Sequence, residues 1–210
     1  MPSAMMKKHP SITVLPPLLA AVAGLAAPAH LRAQDTHSHT RPGVVQKLRE
    51  HPAVGESAPD FRLYDPDGRS WALGEFLQRG YLVLEFGSAT SIEFRKRVPA
   101  IERLAKDWER MEVKVLVVYT REAHPGKLRK KAPRNYEERA ALARRTRKEL
   151  RIRVPLLVDD WEDSACRAYG EMPNAAFLLD RRGTLVARQA WTNVPALEKE
   201  LRRLLKVESP

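Results

Sequence analysis

The stretch "YLVLEFGSATSIEFRK", Tyr81 to Lys96, decides how the rest of the chain is read. Its first half is an apolar run that stops at Gly87, as a buried strand does. Small residues follow at Ser88, Ala89, Thr90 and Ser91, and then a segment of helical character begins. Phe94, Val98, Ile101, Leu104, Ala105 and Trp108 recur every three or four residues, one face of an α-helix. Pro99 inside that pattern predicts a kink. A strand that turns directly into a helix delivers one side chain to the helix N-terminus, where unpaired N–H groups favour an anion.

Upstream, "APDFRLYDPDGRSWAL" holds two short alternating runs around Asp65-Pro66-Asp67-Gly68 and reads as a β-hairpin. "GEFLQRG" is a short helix closing on Gly80. Downstream, "VKVLVVYT" is β-branched and apolar on both faces, as a strand covered by helices is. "NYEERAALARRTRKEL" is helical in pattern, "VPLLVDD" a strand, "WEDSACRAYG" a short helix and "NAAFLLD" another strand. Asp180 to Gly183 turn the chain into "TLVARQAW", and "VPALEKELRRLLKV" is the last helix. A hairpin, then β-α-β-α-β, then α-β-β-α gives an α/β domain: a mixed central sheet flanked by helices, with an N-terminal β-hairpin extension. Met172-Pro173 stands just before the terminal hairpin, where a cis X–Pro bond is a hallmark of the thioredoxin-like fold. The expectation is a cis bond packed against the Ser88–Ser91 turn.

The chain has 210 residues and a net charge of +11. Residues 1–33 read as an export signal: Lys7 and Lys8 precede the uncharged "ITVLPPLLAAVAGLAAPA", and small residues follow at Ala29 and Ala33. The alternative is an uncleaved membrane anchor, although Pro16 and Pro17 interrupt the run. Residues 34–53 read as a polar linker and 54–207 as the domain, placed in the periplasm or outside the cell. Between Arg121 and Arg153 stand thirteen Lys or Arg against four Glu. This basic segment is read as a solvated helix face or as a surface for an anionic partner. Nucleic acid is not expected, because no reading motif is present. His37 and His39 lack a thiol or carboxylate cluster to complete a metal site, and no cofactor is implied.

In a sheet of this kind the turn after "YLVLEF" and the end of "VVYTREAHP" both lie on the carboxyl edge, where ligands bind. Tyr119, Glu122 and His124 are then placed to face Ser88, Thr90 and Ser91. With these two motifs the sequence resembles the iodothyronine deiodinases and their bacterial deiodinase-like relatives, thioredoxin-like proteins related to peroxiredoxins. The family's turn is similar to Phe86-Gly87-Ser88-Ala89-Thr90-Ser91, with cysteine at the Ala89 position in many members and selenocysteine or cysteine at the Ser91 position. Its next strand ends in a pattern matched by Tyr119, Glu122, Ala123, His124 and Pro125. The resemblance runs from about Gly55 to Leu205.

What the resemblance implies is a redox site: a nucleophile at position 91, with Ser88, Thr90, Tyr119, Glu122 and His124 moving protons around it, Pro173 nearby, and a thiol reductant or small molecule as partner. Reductive dehalogenation needs a soft chalcogen that attacks as an anion. A thiol ionises near pH 8.5, lower at a helix N-terminus, whereas a serine hydroxyl is weak without an adjacent base. The expectation is therefore a protein of oxidoreductase ancestry with impaired redox chemistry. The alternatives are a binding or scaffold module using the cleft or the basic segment, and a hydrolase in which His124 activates Ser91. Cys166, the only cysteine, reads as buried filler or as a relocated redox thiol, since its helix leads into Met172-Pro173.

Overall fold

The computed structural model describes residues 52–77, 80–126 and 131–206. The leader, His37, His39 and nearly all of the linker lie outside the described residues. No helix among the described residues is long and apolar enough to cross a membrane.

The predicted elements form. The hairpin is β1 (Arg62–Tyr64) and β2 (Ser70–Ala72), and the helix after it is α1 (Leu73–Leu77). Strand β3 (Tyr81–Gly87) leads into α2 (Ile92–Trp108), a short 3-10 turn and β4 (Val113–Tyr119). Then come α3 (Tyr136–Leu150), β5 (Leu156–Val158), α4 (Ser164–Ala168), β6 (Ala176–Leu179), β7 (Leu185–Gln189) and α5 (Val194–Leu205). One seven-stranded sheet runs in the order β2-β1-β5-β4-β3-β6-β7. Strands β3, β4 and β5 are mutually parallel, and β1, β2, β6 and β7 join by antiparallel pairing. The parallel centre is buried on both sides, which is why its strands are apolar on both faces.

Alternation along β3 divides the core in two. Val83 packs with Val115, Val117, Tyr119 and the inner faces of α2, α3 and α5. Leu82, Leu84 and Phe86 point the other way, among Leu116, Phe177, Tyr169 and Cys166. Helix α2 passes unbroken through Pro99. The proline leaves the Arg95 carbonyl without its i+4 donor but does not end the helix, because Val98, Ile101 and Leu104 on either side are held in the core.

One expectation fails. No cis peptide bond occurs among the described residues, so Met172–Pro173 is trans. The reversal before β6 is made instead by two consecutive left-handed residues, Gly170 (φ 94°) and Glu171 (φ 55°). A hydrogen bond from the N–H of Ala175 to Met172 O closes the turn. With the bend placed there, Asn174 is the residue that reaches the Ser91 turn.

Candidate functional site

Strands β3 and β4 pair in register through Gly87 and Tyr119, so both carry their following loops to the same edge. Gly87 is required where the turn begins: a Cβ there would lie 2.1 Å from the ring of Phe94. The two loops are then stitched together. The Ser88 hydroxyl accepts from the N–H of Ala123 at 3.1 Å, and the Thr90 hydroxyl from the N–H of His124 at 3.0 Å. The Glu122 carboxylate accepts from the N–H of Thr90 at 2.7 Å and from the hydroxyl of Tyr119, whose oxygen accepts from the N–H of Ala89 at 3.2 Å. Burial, helped by the Glu122 carboxylate beside it, pushes the Tyr119 phenol well above its ordinary range. Tyr119 is thus held neutral, as a donor to Glu122.

Ser91 caps α2. Its backbone is extended (φ −78°, ψ 108°), and Oγ accepts from the N–H of Phe94 at 3.2 Å. The same hydroxyl donates to Asn174 Oδ1 at 2.7 Å. Ser91 is 2 % exposed, and Ser88, Ala89 and Thr90 are fully buried. Capping therefore falls to Ser91, while Ser88 and Thr90, whose ordinary role at such a turn is also capping, tie down the 119–124 loop. His124 is exposed; it joins the turn through its backbone, and no hydrogen bond links it to Ser91 among the described residues. Tyr119, Glu122, Ser88, Thr90 and Ser91 are brought together; the His124 ring and Pro173 make no hydrogen bond in this network.

Sequence reasoning missed a second line of polar groups behind Ser91. Asn174 Oδ1 also accepts from Arg97 Nη2 at 3.1 Å, and Arg97 Nε donates to Glu85 Oε1 at 3.2 Å. Glu85 is fully buried in β3. Thr192, whose hydroxyl lies near its carboxylate, donates instead to Asn174 O at 2.9 Å, and Glu85 Oε2 has no hydrogen-bond partner. Burial pushes the Glu85 carboxyl up to about 7, against the pull of Arg97. The available signal was a lone charge in the apolar run "YLVLEF", at a position that the strand buries.

Cys166 is 4 % exposed, within the half of the core that contains Phe86 and Tyr169. Burial first, then the Asp159 and Asp163 carboxylates, push its thiol up to about 12. Among the described residues no group of three or more His, Cys, Asp or Glu is placed to hold a metal.

A mixed sheet sandwiched by helices, with a strand-to-helix turn capped at residue 91, defines a thioredoxin-like protein, and solved structures agree. The thioredoxin domain of a thiol-disulfide oxidoreductase from Bacteroides vulgatus matches with a TM-score of 0.56 at 19 % identity, over 70 % of this chain and 97 % of that one. A thiol:disulfide interchange protein from a Bacteroides species matches with a TM-score of 0.58 at 16 % identity, over 73 % and 91 %. The family model for iodothyronine deiodinase matches residues 30–206. The chain belongs to the iodothyronine deiodinase family. It is 33 % identical over 129 residues to the thyroxine 5-deiodinase of Rattus norvegicus, covering 55 % of this chain and 41 % of that protein. The chain thus spans less than half the length of that curated relative.

Proposed function

We propose that this protein keeps the framework of a deiodinase-family redox site but has lost thiol- or selenol-dependent turnover at position 91. The observation that carries the reading is the state of Ser91 Oγ: buried, accepting from Phe94 and donating to Asn174. A nucleophile needs a base to take its proton. Asn174 Oδ1 is a hydrogen-bond acceptor of negligible basicity, and no carboxylate hydrogen-bonds to Ser91 among the described residues: Glu122 takes Thr90 and Tyr119, and Glu85 connects to Asn174 only through Arg97. The hydroxyl can orient the helix and the 172–175 turn but has no proton acceptor. This geometry also gives the Ser91–His124 hydrolase reading no support.

In this reading Ser88, Thr90, Tyr119 and Glu122 are retained positioning residues that hold the two loops in the arrangement a chalcogenolate would use. The charged start and apolar run of residues 1–33 support export, with 34–53 a linker and 54–207 the domain. Purified protein supplied with a thiol reductant and an aryl iodide tests the reading. No reductant-dependent iodide release above the level of Cys166→Ala is expected; robust turnover that survives Cys166→Ala would refute it.

A second reading, binding without catalysis, is supported by a separate feature. The excess positive charge of residues 121–153 is gathered in part around one recess at the C-terminal end of α3, none of whose lining residues belongs to the Ser88–Ser91 turn.

A further inference from the structure

The C-terminal end of α3 and the loop into β5 form a cleft of about 510 Å³ lined by Arg144, Arg147, Lys148, Arg151, Ile152 and Arg153. Five of six lining side chains are cations, and Ile152, which is buried, is the only apolar one. Part of this charge has a structural purpose. Arg144 Nε and Arg147 Nη2 pair with the two oxygens of Asp67 in the β1–β2 turn, at 3.1 and 2.7 Å, and fasten the hairpin to α3. Arg147 and Lys148 also complement the negative end of the helix dipole. Two carboxylates on neighbouring residues are committed: Glu102 accepts the N–H groups of Arg153 and Val154 at 2.7 and 3.1 Å, and Glu149 pairs with Arg95.

Lys148, Arg151 and Arg153 are exposed, and no ion pair is formed by their side chains among the described residues. Neither dipole complementation nor hairpin docking explains Arg151 and Arg153, which lie beyond the helix. Arg151 is held in a left-handed conformation (φ 55°) by its own N–H, which donates to Arg147 O and Lys148 O. Its Cα–Cβ direction is therefore fixed.

The geometry points to a binding site for a small soluble oligoanion, of the oligophosphate class, in this cleft, independent of whatever chemistry position 91 supports. A cluster of like charges repels itself, and a ligand with several charged oxygens replaces that repulsion with charge-assisted hydrogen bonds; the planar arginine forks match phosphate oxygens in pairs. The volume lies in the ordinary range for small-molecule sites, about 300–1,000 Å³. A membrane surface fits less well, because the cations have no exposed large apolar side chain among them (Val54, Tyr64, Ile92, Met111, Trp161 and Trp191 all lie outside the lining) to enter a bilayer.

The test is calorimetric titration of the full chain with inorganic tripolyphosphate, at about 0.1 M and about 1 M salt, between which the Debye length falls from about 10 Å to about 3 Å. Saturable binding of one ligand per chain, weakened by salt, is expected. The double variant Lys148→Gln/Arg153→Gln should weaken binding about tenfold or more, whereas Arg181→Gln/Arg182→Gln, the same charge change in the β6–β7 turn, should leave it unchanged. Asp67→Asn, which frees Arg144 and Arg147, should tighten it. Absence of saturable binding, or equal losses in the two double variants, overturns the site. Binding to vesicles of phosphatidylserine and phosphatidylcholine without binding of free tripolyphosphate also overturns it, in favour of a lipid surface.

Discussion

Two strand-to-helix turns stand on the same edge of the sheet, and they divide between them what a redox site combines. The β3–α2 turn has the position: Ser91 sits at the cap of a seventeen-residue helix, in a dipole field that favours an anion. It lacks the sulfur. The turn after β5 leads to the sulfur, at Cys166 in the five-residue α4, but its surroundings are anionic. Asp159 accepts from the N–H groups of Asp160, Ala165 and Cys166 at 3.0, 3.0 and 2.8 Å. The helix N-terminus that would have stabilised a thiolate is already occupied by a carboxylate. A thiol near a helix start loses that source of activation when another negative group has taken the start.

Removing the Asp159 carboxylate should cost the most stability. Asp159→Ala leaves the buried N–H groups of Ala165 and Cys166 without partners and should destabilise the fold by about 3 kcal/mol in urea titrations. A loss under about 1 kcal/mol would mean that water replaces the carboxylate and that the turn is open to solvent.

On the β3 side, Gly87→Ala drives a methyl into the Phe94 ring and should destabilise by about 2 kcal/mol, in the range of overpacked cores. An unchanged urea midpoint would show that the turn can shift its seat, and with it residue 91.

The buried acid behind Ser91 gives a pH signature. Between its ordinary value of 4.5 and about 7, folded Glu85 keeps a proton that the unfolded chain has released. Stability therefore falls as pH rises through that window and levels off above it. Asp159, which burial raises to about 6, contributes the same sign but finishes earlier. Wild type should lose about 1 kcal/mol between pH 6 and 8 on one unit of linkage, whereas Glu85→Gln should be nearly flat there. Equal slopes would show that Glu85 is not the group that titrates.

The smallest effect is expected at His124. The ring is exposed and only the backbone is anchored, so His124→Ala should change stability by less than about 0.5 kcal/mol. A larger loss would show that the ring packs into the turn.

The order of elements and the pairing of the Ser88–Ser91 and Tyr119–His124 segments were legible because apolar periodicity and strand-end position dictate them. What escaped depended on contacts between segments far apart in sequence. Asn174 is 83 positions from Ser91, and nothing local marks it as the acceptor. The Met172–Pro173 bond is trans, the ordinary state of an X–Pro bond, and the bend falls at Gly170 and Glu171 instead. His124 was expected to face the turn through its ring, but the Thr90 hydroxyl takes its N–H and leaves the imidazole outside.

If the proposed function holds, only the side chain at position 91 separates this turn from a poised thiol. Alkylation rate against pH for Ser91→Cys in a Cys166→Ala background measures this directly, with native wild type reporting on Cys166. The expected result is a mutant thiol that titrates below the reference of about 8.5, and a Cys166 that stays unreactive until the protein unfolds. A mutant thiol that titrates at or above the free value would contradict it, and would mean that burial and the Glu122 carboxylate outweigh the helix field at this turn.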